Sequence, residues 1–334
     1  MSPIDALRDS ASRLVYYPDD RPGITRRRCG RGFSYVAPDG TRIDDVKERR
    51  RLESMAVPPA YRDVWMSPRR NGHLQATGFD ARERKQYRYH PEWTEWRARR
   101  KFDNLADFGR ALPRLRRHIN EDLSGEAGEK TFAIAAVVAL LDRAALRIGH
   151  PENVVENGTY GATTLTSRHV ALGEGEIRLN YPAKGGRKVN RTLRDKRLNK
   201  VFHALDDLPG KALMSWIDRR GESHAVSSED VNDYIARIVG EEEATAKTFR
   251  TWAGTVCAFE VAVRSDKASI KAMSQAAAER LANTPTIARN SYIHPQVIAL
   301  SDVDPETRRE LGERPSPVSG LRKAEGALLA FLGG

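Results

Sequence analysis

Two widely separated pieces of this chain, Lys247-Thr248-Phe249-Arg250 and Asn283-Thr284-Pro285 with Tyr292 beyond it, combine residue types that suit one phosphodiester. Transfer of a phosphoryl group to a side chain needs a nucleophile and fixed positive groups around the non-bridging oxygens, where charge builds in the transition state. A phenol with a pKa of about 10 is ionised to roughly one part in a thousand at neutral pH, so Tyr292 needs cations or a proton acceptor beside it. Arg147 and Arg250 can each grip a phosphate oxygen with two donors. Asn283 can donate an amide hydrogen to the same oxyanion. Lys184, next to Gly185-Gly186 on what reads as a hairpin tip, can reach a leaving alkoxide and protonate it. Each residue also has an ordinary role when taken alone. Arg147 near a helix C-terminus complements the dipole, Lys184 is a solvated turn lysine, Arg250 caps or stacks, Asn283-Thr284-Pro285 stops a helix, and Tyr292 packs in a core. Spacing by itself leaves these alternatives open.

Other chemistries lack their residues. There is no G-x-x-x-x-G-K-[ST], and Gly210-Lys211 has neither the upstream glycine nor the following hydroxyl that a nucleotide site needs. The eight histidines form no H-E-x-x-H and no i, i+4 pair, and the acidic residues show no cluster for two metal ions. Phosphoryl chemistry here is expected to need no metal, no ATP and no cofactor. Cys29 and Cys257 are too isolated for a disulfide framework or a zinc knuckle, which fits a reducing compartment. The longest uncharged apolar run, from Thr131 to Leu141, has 11 residues, against the roughly 20 that cross a bilayer. The opening MSPIDALRDS carries no apolar signal core. A cytoplasmic, nucleoid-associated protein is the expectation.

The chain has 334 residues and a net charge of +11, unevenly spread. Residues 1–101 hold 23 Lys/Arg against 14 Asp/Glu, whereas residues 102–334 hold 33 against 31. Concentrated positive charge favours a polyanionic partner, because each neutralised phosphate releases counterion. A basic surface without a partner is the alternative on charge alone.

The patterning implies an α+β fold in two domains: a small antiparallel β domain at residues 19–92, after a leader at 1–18, then a mainly helical domain with a small β-sheet at 93–334. Residues 32–36 and 41–43 flank Pro38-Asp39-Gly40 as a hairpin, and residues 74–79 and 85–89 form a second. Val57-Pro58-Pro59 is expected to seat a short helix reaching Val64-Trp65. From Trp93 the apolar spacing turns helical, with a break near Pro113. Residues 130–148 read as a core helix that stops at Gly149, so Arg147 is expected on its last turn. Strands follow at 170–172, 176–181 and 187–193, then helices at 200–205, 228–239, 251–263 and 267–282.

With these residues in view, the chain resembles the poxvirus-like branch of the type IB DNA topoisomerases, in its bacterial form. The similarity runs from about Pro22 onward. It rests on Val57-Pro58-Pro59-Ala60-Tyr61-Arg62-Asp63-Val64-Trp65, Gly72-His73-Leu74-Gln75-Ala76-Thr77-Gly78 and Arg84-Lys85-Gln86-Tyr87-Arg88-Tyr89-His90. In the second half it rests on Arg147-Ile148-Gly149, Glu156-Asn157-Gly158-Thr159-Tyr160-Gly161, Ala183-Lys184-Gly185-Gly186, residues 247–252, and Asn283-Thr284-Pro285 ahead of Ser291-Tyr292. The resemblance implies a catalytic fold of the tyrosine recombinase and type IB topoisomerase kind. It further implies relaxation of supercoiled double-stranded DNA by a monomer that clamps the duplex. Tyr292 would form a 3′-phosphotyrosyl link, Arg147, Arg250 and Asn283 would hold the non-bridging oxygens, and Lys184 would be the general acid. Lys247 falls at a further phosphate-side lysine, and Gln86, Tyr87 and Tyr89 at DNA-contacting positions of the small domain. Asn283 departs from the poxviral histidine, which removes an imidazole titration from the step. Thr248 stands where an aspartate often follows the lysine.

A tyrosine recombinase would share the nucleophile and similar cations. Its second cationic motif usually reads H-x-x-R rather than Lys247-x-x-Arg250, and its N-terminal domain is helical. A noncatalytic DNA-binding protein is the remaining alternative, and it predicts binding without a covalent adduct.

Overall fold

The computed structural model describes residues 14–241 and 244–333, in two compact units, Met1–Lys101 and Phe102–Gly334. Residues 1–13 of the expected leader lie outside the described residues. Residues 14–18, read as its end, join the first unit: the Val15 amide donates to Asn71 O at 2.8 Å, Val15 O accepts from the His73 amide at 2.9 Å, and Leu14 is buried.

The first unit is a five-stranded antiparallel sheet of β1 (Ile24–Cys29), β2 (Gly32–Val36), β3 (Arg62–Met66), β4 (Leu74–Phe79) and β5 (Lys85–Tyr89), in the order β2-β1-β3-β4-β5, with helix α1 (Val46–Ser54) between β2 and β3. Ile24, Tyr35, Val64, Met66 and Ala76 form the core of one face, and Leu52 of α1 covers it. The 74–79/85–89 hairpin forms as expected. The Pro38-Asp39-Gly40 turn also forms, but residues 41–43 add only a bridge from Val36 to Arg42, and the main partner of β2 is β1. No helix runs from residue 57 to 65. A proline disfavours helical backbone in the residue before it, and Arg26 binds the carbonyls of Val57, Pro58 and Tyr61 at 2.7, 2.8 and 3.1 Å. Val64 and Met66 then enter the core two residues apart, as a strand requires.

The second unit is mainly helical: α2 (Pro91–Asp103, which crosses the boundary between the units), α3 (Leu105–Asp122), α4 (Lys130–Ala144), α5 (Pro151–Asn157), α6 (Lys196–Asp206), α7 (Ser228–Val239), α8 (Ala246–Arg264), α9 (Ile270–Leu281), α10 (Pro285–Tyr292) and α11 to α13 (Pro295–Ala299, Pro305–Glu313, Lys323–Leu332). Strands β6 (Val170–Leu172), β7 (Glu176–Ala183) and β8 (Arg187–Arg194) form an antiparallel sheet in that order, and β9 (Ser215–Ile217) pairs with β10 (Ser223–Ala225). The helical break falls at Asn104, and Pro113 lies inside α3. A mid-helix proline costs about 3 kcal/mol, but the stripe Leu105, Phe108, Leu112, Leu115 and Ile119 stays in register through it. Burying each such side chain is worth about 1.5–3 kcal/mol, so the stripe outweighs the proline. Arg116 of α3 joins α4 and α13 through buried Asp142, at 2.9 Å, and buried Glu325, at 2.7 Å. Among the described residues, no helix is long and apolar enough to cross a membrane.

Candidate active site

Two helix ends build the site. Helix α4 stops at Ala144, and Ala145 closes it in the left-handed region at φ 52°, ψ 38°. Arg147 therefore stands two residues beyond the cap, not on the last helical turn. The apolar run hid this end because Leu146 stays buried after the helix is over. The backbone at Arg147 is pinned from outside: its carbonyl accepts from the Ala162 amide at 2.8 Å, and the Ile148 carbonyl from the Thr163 amide at 2.7 Å. A Cβ at Gly161 would lie 2.5 Å from Gly149 N and 2.6 Å from Arg147 O, so only glycine lets these segments meet.

Helix α9 ends the same way. Ala282 is left-handed at φ 49°, ψ 54°, and Asn283 follows, 4% exposed. The Thr284 hydroxyl then caps α10 by accepting the Ile287 amide at 3.2 Å, and Pro285 fills the first helical position, where no amide is needed. The Asn-Thr-Pro motif thus leaves one helix and opens the next, which carries Tyr292 in its last turn.

Arg250, also 4% exposed, projects from α8 and binds both caps, donating to Ala145 O at 2.5 Å and Leu281 O at 3.0 Å. Its guanidinium carbon lies 5.0 Å from the centre of the Tyr292 ring. Arg147 Nη2 donates to Asn283 Oδ1 at 2.5 Å. This leaves Asn283 Nδ2 and Arg250 Nε buried with no hydrogen-bond partner among the described residues. Unpaired buried donors are costly, and an anion can satisfy them. An open groove of about 520 Å3 runs beside Asn283, lined also by Lys188, Arg191 and Gln275, while Arg250 lines a separate small cavity with Arg147.

Electrostatics prepare the phenol. Burial pushes Tyr292 up, but Arg250, by charge and hydrogen bond, together with Arg147 and Lys247, brings it below its ordinary value of 10.0. At neighbouring Tyr181, Arg191, Arg250 and Arg147 also pull downward, but burial prevails and pushes it up to about 12. Position is set by α8: the Thr255 hydroxyl donates to Tyr292 O at 3.2 Å and accepts the His294 amide at 3.1 Å. At Gly254 a Cβ would stand 2.7 Å from Tyr292 O. The arrangement is a polarised tyrosine facing an anion site built from two arginines and an amide.

Comparison with known proteins identifies the family. Residues 90–292 match the family described as eukaryotic DNA topoisomerase I, catalytic core, and the match ends on Tyr292 itself. The chain belongs to the DNA topoisomerase I family, of type IB. Residues 32–80 match the bacterial DNA topoisomerase IB N-terminal domain. The protein named DNA topoisomerase 1B of Acanthamoeba polyphaga mimivirus is 27% identical over 299 residues, covering 85% of this chain and 89% of the viral one.

In this topoisomerase, Arg147, Arg250, Asn283 and Tyr292 come together, and the charge of Lys247 acts on the same phenol. Lys184 is exposed at the turn of the β7–β8 hairpin, directly after Ala183, which with Tyr181 and Val189 lines a small cavity shared with Arg147 and Arg250. Lys247 is exposed on the first turn of α8. Thr248 accepts the Thr245 amide on its hydroxyl at 3.0 Å, so it closes the N-terminus of α8, which an aspartate could also do. In the first unit, Tyr87 and Tyr89 are 48% and 40% exposed and stack with centroids 6.1 Å apart, so neither is a core residue. Gln86 is half-buried and donates to Asp80 at 3.1 Å. Sequence reasoning missed Gly254 and Thr255. A lone glycine inside the apolar pattern of 251–263 was the available signal.

Proposed function

We propose that Tyr292 is the nucleophile of this type IB topoisomerase and that Arg147, Arg250, Asn283 and Lys184 complete the reaction at one phosphate of duplex DNA. The phenol loses its proton to solvent, and its oxygen forms a bond to phosphorus as the bond from phosphorus to the 5′-oxygen breaks. Arg147, Arg250 and Asn283 hold the non-bridging oxygens, where negative charge gathers. Lys184 gives its proton to the departing 5′-oxygen. The strand is then joined through a 3′-phosphotyrosyl link, its free end swivels, and the 5′-hydroxyl attacks the link to restore the backbone. One phosphoester replaces another at each step, so no nucleotide is consumed.

The observation that carries this reading is Arg250, buried against the Tyr292 ring while both its terminal nitrogens brace the helix ends that deliver Arg147 and Asn283. Lys247 adds field strength at the phosphate. Gln86 can pair with adenine, and the exposed Tyr87 and Tyr89 can meet phosphates or thymine methyls. One tyrosine cuts one strand, so a monomer acting on DNA in the nucleoid is sufficient.

The test is incubation with supercoiled plasmid in EDTA without nucleotide, beside Tyr292→Phe. Relaxation and a covalent protein–DNA adduct are expected from the parent only. Retardation of the plasmid without relaxation would leave only a binding protein, and strand exchange between two duplexes would indicate a recombinase.

A further inference from the structure

Arg191 lies in the middle of β8, outside every motif that marks the site. Its guanidinium donates from Nη1 to Ala144 O and from Nη2 to Arg280 O at 2.6 Å and Glu279 O at 3.4 Å. These carbonyls are among the last of α4 and α9, where the regular intrahelical amides run out, although Glu279 O also takes the Ala282 amide at 3.5 Å. Arg250 takes the next carbonyl of each helix, Ala145 O and Leu281 O. Two guanidiniums thus bridge the same two helix ends, Arg250 one residue closer than Arg191 to each left-handed alanine. Arg147 and Asn283 leave these ends two residues and one residue beyond the alanines. Arg280 adds a third link, donating to Arg143 O at 2.7 Å. Arg191 also sits on the hairpin whose tip carries Lys184, in register opposite Leu179.

We propose that Arg191 is a positioning residue for the cleavage step: it clamps the C-termini of α4 and α9 so that the Arg147 guanidinium and the Asn283 amide meet one phosphate, and it ties the Lys184 hairpin to that clamp. It touches no reacting atom. Arg250 makes the same kind of bridge but must also face the phenol. A lysine has one charged nitrogen at this site and cannot span carbonyls on two helices as a fork does. The inference rests on the assignment of Arg147 and Asn283 to the phosphate.

The test uses the full chain and a short duplex that traps the covalent adduct, with single-turnover cleavage rate, DNA affinity and thermal midpoint measured for Arg191→Gln, Arg191→Lys, Asn283→Ala and the double variants. Displacement of a catalytic group by about an ångström costs about 10²-fold in rate, so Arg191→Gln should slow cleavage by about that factor while affinity changes little. In the Asn283→Ala background the same change should cost less than about tenfold, because residues acting as one unit are not additive. Arg191→Lys should restore only a minor part of the rate, and it carries the same comparison if Arg191→Gln does not fold. Full additivity, a rate equal to the parent's, or complete rescue by lysine would overturn the proposal. If the parent forms no adduct through Tyr292, the functional reading fails instead, and that control is run first.

Discussion

Replacing Gly254 with alanine tests how tightly α8 fixes the nucleophile. The added methyl would lie 2.7 Å from Tyr292 O, 3.1 Å from Tyr292 Cβ and 3.0 Å from Leu281 Cδ1. The leucine can rotate away. The carbonyl cannot, since the Thr255 hydroxyl holds it at 3.2 Å. An ordinary contact begins near 3.4 Å, so the end of α10 must move by about 0.7 Å. A shift of that size should slow formation of the tyrosyl adduct by between about tenfold and 10²-fold. Stability should fall by no more than about 2 kcal/mol, because overpacking costs about 1–3 kcal/mol and the glycine-to-alanine change in a helix interior returns about 1 kcal/mol. The fold therefore survives a change that slows the chemical step. Single-turnover adduct formation on a short duplex, read beside thermal unfolding, measures both. A rate within about twofold of the parent, where a tenfold change equals about 1.4 kcal/mol, would refute the idea that this contact sets the position of Tyr292.

Two further outcomes follow from the charges. Arg116→Met should destabilise the protein by up to about 3–5 kcal/mol in denaturant unfolding at neutral pH, because Asp142 and Glu325 lose the buried cation they share and keep only the half-exposed Arg322 and Arg143. Burial pushes Glu325 up, but Arg116 and Arg322 hold it below its ordinary 4.5. A depressed carboxylate stabilises fully above its unfolded pKa and loses that contribution as pH falls through the folded one. The gap between parent and variant should begin to narrow as pH falls below 4.5, and a constant gap down to about pH 3 would exclude this account. For Tyr292, held below 10.0 against its burial, the single-turnover rate should rise with pH and level off before pH 10. Lys247→Met, which removes one of the charges responsible, should move that plateau to higher pH, and an unmoved plateau would detach Lys247 from the phenol.

Elements bounded by their own residues were legible in the sequence. The β4–β5 and β7–β8 hairpins declare themselves by alternation and turn residues, and α7 runs from the Ser227 cap to left-handed Gly240. Strand β1 was not legible: only Ile24 in it is buried, and Arg26-Arg27-Arg28 has no alternation. It is a strand because β2 and β3 supply its backbone partners. The same asymmetry governs charge. Counting arginines suggests a cationic surface, yet Arg250 and Arg308 are buried, and Arg308 spends its donors on Ala262, Ser265 and Asp266 carbonyls. These two arginines of the nearly charge-balanced second unit thus hold backbone carbonyls and add nothing to a cationic surface.

The least legible feature matters most to the site. Nothing in Ala145 or Ala282 announces a helix end, and a left-handed alanine costs about 1 kcal/mol or more, so local propensity argues for continuing both helices. That cost is offset by Arg250, 105 positions after Ala145, and by Arg191, 47 positions after Ala144, whose guanidiniums receive carbonyls that only an ended helix presents. The ends of α4 and α9 are therefore a tertiary property. The motif residues Arg147 and Asn283 can be recognised one by one in the sequence. Their convergence depends on arginines whose targets are backbone oxygens, which no pattern of side chains encodes.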